Sequence, residues 1–161
     1  MHLGETLLVL GALVIFSVSA LYLNDAKFDN GMKLMETEFR ITAVGIAQSF
    51  IEEAQVMEYD EVLITSAYNV LPDDFTAIAS LGAEAGESYP NFNDIDDFNG
   101  FIQNIPTPRA DYNVNIRVSY ADTANLSPGY VNPAFFKIMS VTVKSDFFQD
   151  SLMCDYLFSF H

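Results

Sequence analysis

Gly4-Glu5-Thr6-Leu7-Leu8-Val9-Leu10-Gly11 opens the longest uncharged run in the chain, and its reading decides the fold. No charge occurs from Thr6 through Asn24. As a helix that run would span ~28 Å, close to the thickness of a bilayer's hydrocarbon core. A secretory signal peptide carries Lys or Arg before its apolar run and a small-x-small site after it. Here Met1 to Glu5 has neither Lys nor Arg, and Leu21-Tyr22-Leu23 is not small. The segment is therefore expected to be retained as an anchor. Its N-terminal flank lacks the basic residues that normally orient an anchor, which suggests that something basic has been removed. Glu5 stands at the edge of the apolar run, where a carboxylate is either a snorkelling interfacial acid at a helix N-terminus or a paired, buried one.

Beyond the anchor, Phe28, Met32, Met35, Phe39, Ile46, Phe50 and Met57 recur at three- and four-residue spacing, with Glu36, Arg40, Glu52 and Glu53 off the stripe. That periodicity predicts one helix continuing to about Met57, its stripe packed on the sheet that follows. Such a helix, of roughly fifty residues, is far longer than the usual globular helix of about 11 to 12. Residues 1–25 read as a hydrophobic anchor and residues 26–161 as a head made of three parts: an amphipathic helix over 26–57, a helix-to-sheet connection over 58–111 and a sheet over 112–161.

Within the head, Pro72-Asp73-Asp74, Gly82 and Gly86-Glu87-Ser88-Tyr89-Pro90 mark a long irregular connection. Three strands are predicted after it, Tyr112 to Ala121, Phe135 to Ser145 and Leu152 to Phe160. Val114, Ile116, Val118 and Tyr120 alternate with polar residues, and Met139, Val141 and Val143 alternate with Ile138, Ser140 and Thr142. The expected fold class is α+β, a long N-terminal helix laid on a three- or four-stranded antiparallel sheet.

The opening octapeptide resembles the start of mature type IV pilins, which have a hydrophobic first residue and glutamate at position five, as Met1 and Glu5 are here. The stretches Ala47-Gln48-Ser49-Phe50-Ile51-Glu52-Glu53-Ala54 with Tyr59-Asp60-Glu61, and Asn93-Asp94-Ile95-Asp96-Asp97-Phe98-Asn99-Gly100-Phe101, look like pilin-like proteins of the mannose-sensitive haemagglutinin type. The resemblance implies that a prepilin peptidase removes a basic leader and methylates Met1, and that Glu5 pairs with the terminal amine of a neighbouring subunit. It also implies a filament core built from Leu7, Leu8, Leu10, Leu13, Val14 and Phe16. The subunit would wait in the inner membrane and then join an extracellular helical homopolymer with the help of pilus assembly machinery. A minor pilin or a type II secretion pseudopilin fits the same signature. A single-pass anchored binding or adhesion module is the alternative from another class. One departure is Tyr22, where many pilins have a proline near this position; local unwinding would have to use Gly11 or Asn30-Gly31.

Composition narrows the remaining classes. Half of the residues are apolar, so disorder is not expected. A net charge of -15 repels phosphate backbones, which argues against a nucleic-acid partner. His2 and His161 lie at opposite ends, and no Ser-His-Asp spacing, Cys/His cluster or glycine-rich phosphate loop stands between them, so no enzyme is expected. The single cysteine, Cys154, reads as a small hydrophobe. Asn125-Leu126-Ser127 has the form of a glycosylation sequon and is read as turn polarity. Asp94, Asp96, Asp97 and Asn99 offer several oxygens in one short turn, the ligand type that calcium takes, but not at EF-hand spacing. The expectation is a solvated acidic turn pinned by Ile95, Phe98 and Phe101, with no cofactor; calcium is the alternative.

Overall fold

Leu3–Ala54 forms one unbroken helix, α1, in the computed structural model, which describes residues 3–65, 70–124 and 126–160. The helix runs through Gly11 and Asn30-Gly31 without a break. The chain divides into two units, the first ending at Glu38 and the second beginning at Phe39, so α1 contributes to both. Within the first unit, every described position from Leu3 to Met35 is exposed. The mean hydropathy of its most apolar window is 2.3, long and apolar enough to cross a membrane.

The second unit is a four-stranded antiparallel sheet in the order β1-β2-β3-β4: Ile102–Pro106, Asp111–Tyr120, Phe136–Lys144 and Leu152–Ser159. Alternation fixes its two faces. On the inner face Val114 pairs with Val143, Ile116 with Val141, Val118 with Met139 and Tyr120 with Lys137. Against it lies the last part of α1, through Phe39, Ala43, Ala47, Phe50, Ile51 and Ala54. Ala43, Ala47 and Ala54 are fully buried, so small side chains occupy the inward stripe, with Phe39 and Phe50 filling the space beside them. Helix on antiparallel sheet is the α+β arrangement that the sequence predicts.

Three details differ from the sequence reading. The helix stops at Ala54 rather than near Met57, because Val56 and Met57 donate to carbonyls three residues back and tighten the last turn. β1 lies inside the stretch read as connection; it has only five residues, and the adjacent Gln103-Asn104 keep its apolar residues from alternating although its burial does. The buried stripe of α1 begins at Phe39. Phe28 is 68% exposed, and Met32 and Met35 are more than half exposed, so these three do not belong to the helix-to-sheet packing, while Phe39 and Phe50 do and Ile46 is half-buried against the core. The physical reason is length: sixteen helical residues cover ~24 Å, about as much as strands of eight to ten residues can face.

Between α1 and β1 the chain is irregular but anchored. A short helix α2 spans Glu61–Thr65. Glu58 bridges Asp94, with Glu58 N–H donating to the Asn93 carbonyl at 3.3 Å and Ile95 N–H to the Glu58 carbonyl at 3.0 Å. Aromatic rings fill the space beneath: Phe50 meets Tyr89, Phe98 and Phe101, and Tyr59 meets Phe75 and Phe160. Cys154 is a free thiol, half-buried against this core as the hydrophobe reading expects.

Candidate functional site

Two sets of residues carry chemistry, one in each unit. In the first, Glu5 lies in the first turn of α1, and the Thr6 hydroxyl donates to the Leu3 carbonyl at 2.9 Å. Leu7, Leu8, Leu10, Leu13, Val14 and Phe16 are all more than half exposed. Among the described residues of the uncharged run, no side chain is buried by the chain's own fold, so the whole circumference of the helix is available to lipid or to other protein. Met1 lies outside the described residues, as does Asn125 of the sequon.

The second set is buried in the head. Lys137 is completely inaccessible, and its ammonium donates to Asp60 Oδ2 at 2.9 Å, to Asp96 Oδ1 and to the Tyr59 carbonyl at 2.6 Å. It also lies 4.5 Å from the centre of the Tyr59 ring. Asp60 accepts further bonds from the Thr76 N–H and hydroxyl and, at 3.1 Å, from the Tyr120 hydroxyl. One ammonium thus joins the segment after α1, the 3-10 turn Asp96–Phe98 and β3, while Asp60 and Tyr120 draw in Thr76 and β2. Burial, reinforced by the negative charges of Asp60 and Asp96, pushes the Tyr59 and Tyr120 hydroxyls well above the ordinary phenol range. Burial also raises the Asp96 carboxyl, against the opposing pull of Lys137. With no solvent access at Lys137, this constellation ties elements together.

The acidic turn is buried, which corrects the expectation of a solvated one. Asp94 and Asp96 are inaccessible and Asp97 is 2% exposed. Asp96 turns to Lys137. Asp94 and Asp97 cap one another, the Asp97 N–H donating to Asp94 Oδ1 at 3.1 Å and Asp97 Oδ2 accepting from the N–H groups of Asn93 and Asp94. Asn99 is used by the sheet: its amide donates to the Leu81 carbonyl at 3.0 Å and accepts from the Val118 N–H at 3.1 Å. Burial and the Asp96 charge push the Asp94 carboxyl up to about 8. The four residues named together in the sequence therefore serve three separate tasks.

Sequence reasoning missed Asp60 and Lys137, and strand parity could have found the lysine. It shares its phase with Met139, Val141 and Val143 and so must point inward, where an ammonium requires buried acids. The structure also brings Glu61, Glu84 and Glu87 together, with carboxylate oxygens within 4.8 Å of one another, although 26 residues separate the first from the last. No protein-family model matches this chain, and no curated protein or solved structure matches it either.

Proposed function

We propose that the chain is a structural subunit of a type IV pilus-like filament, a major pilin, stored in the inner membrane and assembled by packing its N-terminal helices. The observation that carries this reading is a continuous α1 whose first 33 described residues are exposed and largely apolar, with one carboxylate, Glu5, ahead of the uncharged run and a folded head at the other end. Such a helix is stable only with lipid or protein around it. Lipid tails are as apolar as leucine, so hydrophobic burial alone does not favour polymer over membrane. The preference comes from side-chain packing between helices and from Glu5, whose carboxylate is costly at the edge of a bilayer and is relieved by a cationic terminal amine of the next copy. Head-to-tail repetition of that contact leaves the polymer open.

The test combines mass spectrometry of the mature N-terminus with electron microscopy of sheared surface material from cells carrying the wild-type chain or Glu5→Ala. Filaments of an N-methylated chain, lost in Glu5→Ala while the membrane pool persists, are expected. Unchanged filaments from Glu5→Ala overturn the role of Glu5, and a chain that stays in the membrane as a monomer overturns the filament. The latter outcome favours an anchored binding module, for which the outer sheet face offers a shallow cleft of mixed character, lined by Asn113, Arg117, Ser140 and Thr142 together with Pro128 and Met153. Among the filament readings, a minor pilin or pseudopilin is distinguished by low abundance in the sheared fraction.

A further inference from the structure

Among the described residues Lys137 is the only buried cation, set against four buried aspartates. Its ammonium lies 2.9 Å from Asp60 Oδ2 and 2.5 Å from Asp96 Oδ1, and the three side chains are at most 1% exposed. The rings of Tyr59 and Tyr120, centred 4.5 and 5.3 Å from the nitrogen, close the site. The two acids are not held alike. Asp60 accepts from the Thr76 N–H, the Thr76 hydroxyl and the Tyr120 hydroxyl besides Lys137. Asp96 has Lys137 on Oδ1, and no donor reaches its Oδ2. Burial raises the Asp96 carboxyl and so favours the neutral acid, the form that an amine can attack.

A buried ammonium and carboxylate have a neutral alternative, an amide plus water. In bulk water solvation of the two ions opposes that condensation. Here neither ion is solvated, and loss of both charges removes the desolvation penalty that a buried pair carries. Proximity removes much of the entropic barrier. Asp96 Cγ is one bond beyond Oδ1, which sets it near the roughly 3–3.5 Å at which reacting atoms meet.

We propose that the Lys137 amine and the Asp96 carboxyl condense into an intramolecular amide, with Asp60 carrying a proton between them. One ammonium hydrogen passes to Asp96 Oδ1 along their contact, leaving a neutral amine beside a neutral acid. Nζ attacks Cγ, and the C–N bond forms. Asp60 Oδ2 takes a second hydrogen from the nitrogen and hands it to the departing hydroxyl. The C–O bond breaks with its electron pair on oxygen, and water leaves. The third hydrogen stays on the amide nitrogen, and Asp60 ends as it began. The bond joins the 3-10 turn Asp96–Phe98 to β3 across 41 residues, closing a loop as a disulfide does in a head whose single cysteine can make none. A chain that has not condensed keeps the ion pair, and is the reference for the energetics of losing Lys137. The cross-link does not depend on the filament reading.

The test is the mass of the full chain, extracted in detergent at intervals after its synthesis and mapped by proteolysis. The mass is expected to fall by one water as the chain matures. Trypsin should then leave residues 41–109 joined to residues 118–144, uncut after Lys137. A glutamate-specific protease, cutting at Glu61, Glu84 and Glu87, separates Asp60 from Asp96 and should place the branch on Asp96. Lys137→Met and Asp96→Ala should keep the water. Asp60→Asn leaves both reacting groups in place and should slow condensation by about a hundredfold or more while the near-ultraviolet tyrosine signal of the head persists. The wild-type mass is decisive whether or not the variants fold. A folded wild-type chain that keeps its full mass and is cut after Lys137 overturns the cross-link, as does water loss without a branched peptide, the sign of a cyclic imide. A branch on Asp60 overturns the assignment to Asp96, and condensation of Asp60→Asn at the wild-type rate overturns the role of Asp60.

Discussion

Replacing Lys137 with methionine keeps the volume of the side chain and removes its charge, leaving Asp60 and Asp96 buried without a cation. The two acids are not equally exposed to the loss. Asp60 retains the Thr76 N–H, the Thr76 hydroxyl and the Tyr120 hydroxyl. Asp96 Oδ1 loses Lys137, and Asp96 Oδ2 already has no partner. Breaking a buried pair by removing one member costs about 3–5 kcal/mol, because the remaining charge stays desolvated. For a head of this size that corresponds to a fall in melting temperature of roughly 12–20 °C. The measurement is thermal and urea unfolding of the full chain in micelles, read by near-ultraviolet tyrosine dichroism, since α1's exposed half would keep its far-ultraviolet signal after the head melts. Adding Asp96→Asn to Lys137→Met should restore more than half of the loss, because a neutral amide needs no counter-charge. A Lys137→Met cost below about 1 kcal/mol, typical of an exposed pair, would refute the account of Lys137 as the tie of the head.

Phe50→Ala should destabilise the head by about 3–5 kcal/mol through lost burial and a residual cavity. Phe28→Ala should leave head stability within about 0.5 kcal/mol, and equal effects of the two would mean that the buried stripe has been placed wrongly. The melting temperature of the head should fall as pH rises from about 4 to about 8. Asp94 is pushed up to about 8 by burial and Asp96, and Glu84 up to about 7 by burial and Glu87, so the folded state holds protons that the unfolded state has released above about 4. Stability therefore declines through that window and levels off above it, and a rise across the same range would contradict the assignment.

Much of this protein was legible in order along the chain. An uncharged apolar run reports a helix that needs non-aqueous neighbours, because backbone groups in lipid must bond within their own segment. Alternation in Asp111–Tyr120 and Phe136–Lys144 reports two strands with one buried face each, because successive side chains point to opposite sides. Both signals are local periodicities, and periodicity survives without knowledge of the partner. The limits of the helix stripe were not legible in the same way. Phe28, Met32 and Met35 continue the apolar spacing of Phe39 and Phe50, yet only the latter two are buried.

The sequence by itself determined the helix, the sheet, the acidic character and the position of Glu5. Tertiary structure alone decided where the acids go: it sent Asp96 to Lys137 across 41 residues and closed Glu61 on Glu84 and Glu87. Those outcomes depend on how an irregular connection folds over the end of α1. A charge's meaning depends on its burial and its neighbours, and neither is written in the spacing of residues along a loop.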